Sequence, residues 1–430
     1  MDSFIDFFSF SDPNIRYVVI GSILLTASSA TVGSFTFLKK KALVGDAVAH
    51  AVLPGVCLAF ILSGNKNPFL LILGAFTTGW LSLVAIDWIT RKSKIKEDSA
   101  IGLVLSVSFG IGILLLTMIQ HSGNASQTGL DQFLFGKAAS LVGSDLIVFT
   151  IVSLLLIFTI VLFFKELTLL AFDKAFAETI GFPVKRLELL LTTLTVMAVV
   201  VGIQAVGVVL MAAMLITPAA AARFWTERIK VMILLAALFG SFSGVTGAYI
   251  SYIAPSMPTG PWIVMVISGI AFFSFFFAPG KGIVSRLFQQ YRIRSKMNDE
   301  NVLKALYGLG EKEDDFYVAR SPEEINSHRS FENSNLIQTL KRLRSQGYLE
   351  SDQHDYWLTQ EGMKKGQRVV KLHRLWETYL TKYLRIAPDH VHEDAESIEH
   401  VLTPELEKRL EQLLEYPEID PHQSTIPYNN

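Results

Sequence analysis

The sequence has a single cysteine, Cys57, among its 430 residues. One thiol forms neither an internal disulfide nor a thiolate metal cluster, so both are excluded within this chain. The chain also lacks the phosphate-binding pattern G-x-x-x-x-G-K-[ST], which excludes ATP hydrolysis by that route. Its first residues include Asp2, Asp6 and Asp12 without a basic cluster, which argues against a cleaved signal peptide.

Charge is scarce in the first two thirds of the chain. Residues 1–290 contain 19 Lys and Arg and 14 Asp and Glu, whereas residues 291–430 contain 19 and 25. Because the mean hydropathy of the whole chain is +0.39, the first part must be strongly apolar. This division predicts a polytopic membrane domain over residues 1–290 and a soluble domain over residues 291–430.

Nine apolar stretches predict an all-α membrane domain with eight or nine transmembrane helices. Two of them are short and separated by residues 202–207, which indicates a sharp turn or broken helices. The loops 120–132 and 254–261 contain neither Lys nor Arg, so the positive-inside rule places them outside and the soluble domain in the cytoplasm. The stretches are 17–38, 43–63, 68–89, 100–119, 142–164, 188–203, 205–222, 231–253 and 262–279.

The second apolar stretch opens with an acid and an imidazole four residues apart, Asp46 and His50. Positions i and i+4 share one face of a helix, and ionisable groups inside a membrane usually face a polar pathway. A carboxylate oxygen and an imidazole nitrogen also suit a divalent first-row metal. The alternative is that Asp46 caps the helix while His50 is a hydrogen-bonded interior histidine. Pro54, one turn later, frees a backbone carbonyl, which is tolerated where a helix lines a cavity.

A short amphipathic segment, residues 172–183, lies in a predicted cytoplasmic loop and ends with Gly181 and Pro183. It fits either an ordinary surface helix or a docking element for another protein.

These residues resemble the permease subunits of the bacterial manganese/zinc/iron ABC importer family over about residues 15–285. The resemblance is carried by residues 39–55, residues 173–181 and the run Leu215-Ile216-Thr217-Pro218-Ala219-Ala220. It implies a fold similar to the vitamin B12-type importers, with two permease subunits, the same or paralogous, forming a pathway lined by the acid and the histidine. It also implies an extracytoplasmic metal-binding lipoprotein and a separate cytoplasmic ATPase. The candidate residues for coupling to that ATPase are Asp173, Ala177, Glu178 and Gly181.

In the soluble domain, the order of helical and turn patterns predicts an α+β winged helix over about residues 298–362. A basic linker at 291–296 is expected before it, and further helices are expected over about 363–427. Lys341, Arg342 and Arg344 on its second helix are candidates for phosphate contacts. The net charge of −6 from residue 291 onward argues against tight DNA binding, because non-specific affinity comes from phosphate neutralisation.

A second set of candidate metal ligands follows. Glu396 with Glu399 or His400 places carboxylate and imidazole groups on one helical face. Oxygen ligands without a thiolate favour manganese or ferrous iron over tight zinc binding. The alternative interpretation is an acidic surface helix.

This part resembles the diphtheria-toxin-repressor and manganese-repressor family over about residues 298–427, through residues 373–375, the Glu396 helix and residues 420–427. The family normally supplies acidic or methionine ligands from its first helix, but here Asn301 and Lys304 occupy those positions. The resemblance therefore implies a low-affinity or degraded sensor that lacks part of its ligand set. The implied ligands are His373, Glu396, Glu399 and His400, with Glu377 and His392 as accessory candidates.

Together these features predict a non-enzymatic permease subunit of an ATP-driven divalent-metal importer in a bacterial plasma membrane. Manganese is the first expectation and zinc or iron are the alternatives, with no permanently bound cofactor. Two other functions fit parts of the sequence: a membrane-tethered or released metal-responsive DNA-binding repressor, and a proton- or sodium-coupled secondary transporter.

Overall fold

The computed structural model describes residues 2–64, 67–121, 143–254, 257–386 and 403–428. The chain folds as two compact units, Met1–Ser285 and Arg286–Asn430. This division falls five residues before the domain boundary expected from composition.

The first unit is helical throughout its described residues. Eight of its described helices, α2 to α6, α9, α11 and α12, are long and apolar enough to cross a membrane. With the shorter apolar α10 they match the nine predicted stretches in order, which makes this a multi-pass membrane protein. The helices are α1 (Asp2–Phe8), α2 (Pro13–Leu38), α3 (Val44–Ser63), α4 (Pro68–Lys92), α5 (Glu97–His121), α6 (Gly143–Leu162), α7 (Phe164–Phe172), α8 (Lys174–Thr179), α9 (Val184–Val206), α10 (Val208–Trp225), α11 (Ile229–Ile253) and α12 (Thr259–Phe277).

The break expected between residues 202 and 207 lies at Gly207. This residue ends α9 and precedes α10 with φ +91° and ψ 164°, a conformation that is open to glycine and strained for other residues. Glycine at this position therefore divides one apolar stretch into two helices.

Helix α3, which carries Asp46 and His50, packs against α4, α5, α9 and α10. Its contact with α4 is a glycine crossing: a Cβ on either Gly55 or Gly74 would overlap the backbone carbonyl of the other. On another side, Gly45 leaves space for the side chain of Leu215 from α10. Small residues thus let the neighbouring helices approach α3 closely and fix its position.

The second unit has the helix, helix, helix and hairpin order of a winged helix. Its antiparallel hairpin pairs Leu349 with Leu358 and Asp352 with Asp355. Apolar side chains from these helices and both strands, among them Leu306 and Leu340, form the core. The elements are α13 (Ile283–Glu313), α14 (Pro322–His328), α15 (Asn333–Ser345), β1 (Leu349–Asp352), β2 (Asp355–Leu358), α16 (Gln360–Tyr383) and α17 (Pro404–Leu413).

Two details of the sequence interpretation were wrong. Residues 291–296 are not a linker, because α13 is helical from Ile283 onward. Arg342 is not available to phosphates: its guanidinium pairs with the carboxylate of Asp299 at 2.7 Å and also reaches the carbonyl of Ser295. Lys341 and Arg344 are exposed, as expected.

Candidate metal pathway and tail site

Asp46 and His50 meet on one face of α3. The distance between His50 Nε2 and Asp46 Oδ1 is 3.4 Å, and the two side chains are 16% and 35% exposed. Asp46 does not cap the helix, because the N-cap residue is Leu43 and no side chain caps this end. The Asp46 carboxylate is therefore not used in capping, and it lies within ion-pair distance of His50.

The second nitrogen of His50 is unused. Nδ1 is buried and has no hydrogen-bond partner among the described residues, which argues against an ordinary hydrogen-bonded interior histidine. Phe109 stands edge-on to the imidazole, with ring centroids 4.8 Å apart. Pro54 lies inside α3 and has no N–H to donate to the carbonyl of His50, four residues earlier. This turn therefore contains an imidazole nitrogen without a hydrogen-bond partner among the described residues and a backbone carbonyl that receives no hydrogen bond from residue 54.

The pair is not a complete metal site by itself. In the part of the chain that the structure describes, no group of three or more His, Cys, Asp or Glu side chains is placed to hold a metal ion. Two ligands from one chain leave most positions around a divalent first-row metal open.

The segment 172–183 is held in shape by its own residues. Asp173 caps α8 by accepting a hydrogen bond from the Phe176 N–H at 2.8 Å, and Gly181 turns the chain with φ +88°. Ala177 is buried, while Glu178 is exposed. Of the four candidate coupling residues, Ala177 therefore faces the protein and Glu178 faces outward. Four large apolar side chains of the segment are also exposed: Phe172, Phe176, Ile180 and Phe182.

A carboxylate that the sequence interpretation missed links this segment to the membrane helices. Glu188 Oε1 lies 3.1 Å from Lys174 Nζ on α8 and 3.4 Å from Lys39 Nζ, which follows α2. Lys39 is only 13% exposed; burial lowers the pKa of its ammonium, and the Glu188 carboxylate opposes that shift. The available signal was a single acid, preceded by Lys185 and Arg186, in the first turns of a helix that is mostly apolar beyond them.

These groups line a cavity of about 450 Å³. A second ion pair of the same cavity joins Lys41 to Glu97, the first residue of α5, at 2.7 Å. The loop between α2 and α3 is thus tied by salt bridges to both α5 and α9, immediately before the helix that carries Asp46.

In the second unit, His373 and Glu377 form another acid–imidazole pair. Nε2 of His373 lies 3.0 Å from Oε1 of Glu377, and the glutamate is 2% exposed. His422 approaches the same oxygen at 3.8 Å. The remaining predicted ligands lie outside the described residues: His392, Glu396, Glu399 and His400.

Cations share the cavity of about 310 Å³ that this pair lines. Lys304 and Arg374 are among its lining residues, and Arg374 also pairs with Glu311 at 2.6 Å. Asn301 does not line this cavity; its Oδ1 is buried without a hydrogen-bond partner among the described residues. A position where an acidic or methionine ligand was expected therefore carries a lysine that lines the histidine cavity.

The membrane geometry agrees with a comparison of sequence families. Residues 11–278 match the ABC 3 transport family. The chain belongs to that family. Residues 359–428 of this ABC 3 family member match the iron dependent repressor metal binding and dimerisation domain.

Two relatives of this ABC 3 family member are named as metal transport membrane proteins. It is 43% identical to the manganese transport system membrane protein MntC of Bacillus subtilis over 87% of this chain and 86% of that protein. It is also 43% identical to the zinc transport system membrane protein TroC of Treponema pallidum, over 66% of this chain and 95% of that protein. Among solved structures, PsaBC from Streptococcus pneumoniae in complex with Fab is 34% identical. It aligns with a TM-score of 0.58 over 65% of this chain and 97% of that one.

Proposed function

We propose that this chain is the permease subunit of an ATP-driven importer for a divalent first-row metal, with manganese as the principal substrate. The observation that carries the proposal is the Asp46–His50 pair in a membrane helix, with the buried Nδ1 of His50 unpartnered. Removing ionisable groups from water is costly, so a pair kept inside a membrane indicates a polar route. The names of the MntC and TroC relatives support manganese or zinc as the cargo.

A second permease subunit completes the ligand set in this proposal. One chain offers one carboxylate and one imidazole, and a second copy or a paralogue with the same helix would double both. Two oxygens and two nitrogens without a thiolate suit manganese or ferrous iron and still admit zinc. Zinc and iron are therefore tested as competitors.

Energy comes from a separate ATPase chain in this scheme, because the permease has no phosphate-binding loop of its own. The exposed apolar face of residues 172–182 is the proposed docking surface, with Asp173 and Gly181 shaping it and Glu178 at its edge. Glu188 then transmits movement of α8 to the loop before α3, since one oxygen holds both Lys174 and Lys39. An extracytoplasmic lipoprotein delivers the ion.

The second unit, Arg286–Asn430, is called the tail below, and it is proposed to be a cytoplasmic metal sensor of low affinity. His373 and Glu377 supply ligands, and Glu396, Glu399, His400 and His392 complete the proposed set. Lys304 opposes a cation in the same cavity by Coulomb repulsion.

A metal-responsive repressor remains the second candidate, because the winged helix and the match of residues 359–428 favour it. Binding to DNA would have to use Lys341 and Arg344 alone on α15, since Arg342 is engaged by Asp299. Weak, salt-sensitive DNA binding is the expectation.

The test is metal uptake by cells that express the complete transporter. Manganese uptake should be saturable, inhibited by zinc or iron to an extent that ranks the three metals, and abolished in His50→Ala. The matched control is His121→Ala, a histidine at the end of α5 whose Nδ1 lies 2.8 Å from the carbonyl oxygen of Thr117. Normal uptake by His50→Ala protein at wild-type abundance would refute the proposed pathway.

A further inference from the structure

The apolar face of helix α13 extends beyond the hydrophobic core of the second unit. Val302, Leu303 and Leu306 on this face are buried in the core of the second unit. At 100° per residue, the same face continues toward the start of the helix through four side chains that all remain exposed, Phe288 by 75%. These are Val284, Leu287, Phe288 and Tyr291, in the i, i+3, i+4, i+7 pattern of an amphipathic helix.

Basic residues flank this exposed stripe. Arg292 and Arg294 lie roughly 70–90° to either side of its centre, and both are exposed. Residues 278–298 contain five Lys and Arg and no Asp or Glu, whereas residues 299–430 contain 16 and 25. The positive charge of the soluble unit is therefore concentrated beside its exposed apolar stripe.

The stripe begins next to the last transmembrane helix. Helix α12 ends at Phe277, and the following turn is fixed to the membrane unit by Lys281. Its Nζ donates to the carbonyl of Arg223 at 3.0 Å and pairs with Glu227. Six residues, 278–283, separate Val284 from the end of α12, so the stripe starts close to the membrane along the chain.

We propose that residues 284–296 form a membrane-surface helix that binds anionic phospholipids of the cytoplasmic leaflet. The apolar stripe enters the boundary between headgroups and acyl chains, and the arginines on both sides reach the phosphates. Charge on both sides of a narrow stripe fits a headgroup layer, which surrounds an inserted helix. A purely apolar groove on another protein would gain nothing from these arginines.

Fluorescence quenching in the full-length protein tests this proposal. The only natural cysteine, Cys57, is 1% exposed, so Phe288→Cys can be labelled selectively with an environment-sensitive fluorophore. The protein is then placed in nanodiscs of phosphatidylcholine, with or without phosphatidylglycerol. A nitroxide on the lipid should quench the label strongly in the anionic discs and weakly in the neutral ones. A label at the neighbouring Gln289→Cys, which points away from the stripe, should be quenched by aqueous iodide in both.

Charge variants separate lipid binding from folding. Each basic residue near an anionic surface strengthens attachment about fivefold. Arg292→Gln with Arg294→Gln should therefore lower the ratio of lipid-attached to free helix by about 25-fold, whereas the double lysine variant should quench like wild type. Equal lipid quenching in neutral and anionic discs would overturn the proposal. So would a Phe288→Cys label that is reached by iodide in both, or by neither quencher because a second chain covers it.

Discussion

Helices α3 and α16 each bring an acid and a histidine four residues apart into contact, and the two pairs lie in opposite surroundings. Asp46 and His50 are 3.4 Å apart in a membrane helix, beside Phe109 and with one imidazole nitrogen unpartnered. His373 and Glu377 are 3.0 Å apart in a soluble helix. Their cavity also contains Lys304, Arg374 and two further histidines. The same spacing thus places two candidate ligands on one helical face in both regions, and the neighbouring residues differ in charge.

The charges around each pair make opposite predictions for metal binding. In the proposed pathway, a cation beside Asp46 is attracted by the carboxylate, and two ligands from this chain leave its other positions open, so it can also leave. The cavity beside Glu377 also contains Asp420, but the lysine and two arginines that line it, Lys304, Arg329 and Arg374, oppose a cation. The proposed pathway and the proposed sensor therefore share one ligand spacing but differ in the charges that surround it.

Replacing the acid of each pair by its amide should give the largest difference in manganese uptake between the two regions. We expect Asp46→Asn to lower manganese uptake about a hundredfold, because a direct ligand of the ion is lost. Glu377→Gln should leave uptake within about twofold of wild type while weakening metal binding by the tail. Uptake assays at matched protein abundance check both. Asp87→Asn is the control, since Asp87 pairs with Arg91 at the same spacing but is exposed. Comparable losses from Asp46→Asn and Glu377→Gln would contradict the division of roles.

Glu188→Gln should have the next largest effect, about a tenfold fall in uptake. The change removes the charge that holds Lys174 and leaves the buried Lys39 without its counter-charge. The ATPase should still copurify, because the exposed docking face is untouched. The control is Glu97→Gln, which lies in the same cavity but whose pair with Lys41 is about 40% exposed on each side. Normal uptake by Glu188→Gln would exclude its role in coupling.

Lys304→Glu should make the tail resemble the membrane pair. Replacing a cation with a carboxylate in the cavity of His373 and Glu377 is expected to raise manganese affinity about fivefold. Calorimetry on the full chain in the Asp46→Asn background removes the membrane site from the signal. Lys408→Glu is the control, because Lys408 is exposed on α17 and does not line this cavity. Unchanged affinity would place the tail ligands elsewhere.

The smallest effect concerns acid stability of the tail. Burial raises the pKa of Glu407, but hydrogen bonds from Lys371 and Arg368 outweigh it and hold the pKa below the ordinary 4.5. The stabilisation is therefore present above about pH 4.5 and is lost as the pH falls through the folded-state pKa. Hydrogen exchange in α16 and α17 should rise in this acidic range, and Glu407→Gln should remove about 1.5 kcal/mol already at neutral pH. The exposed Glu405→Gln should keep the wild-type stability at neutral pH and the wild-type rise of exchange in acid; identical exchange in the two variants would contradict the assignment.

Most of the fold followed from periodicity and polarity. The apolar stretches predicted the membrane helices, and the alternation of helical and turn patterns predicted a winged helix. The Asp46–His50 pair was also visible, because i and i+4 neighbours meet whenever a helix forms. The extent of α13 was missed, since a basic stretch such as residues 291–296 is as typical of a linker as of an exposed helix.

Local residue order was enough to predict which segments are apolar, that a break falls within residues 202–207, and which side chains share a helical face. Ion pairs between distant segments depend on the tertiary structure. Lys39 and Glu188 are 149 residues apart, and Arg342 and Asp299 are 43 apart. A charged side chain needs a partner of opposite charge, but its position in the sequence does not say which one. Helix packing selects the partner, because it brings one candidate within hydrogen-bond distance and removes the water that would otherwise compete.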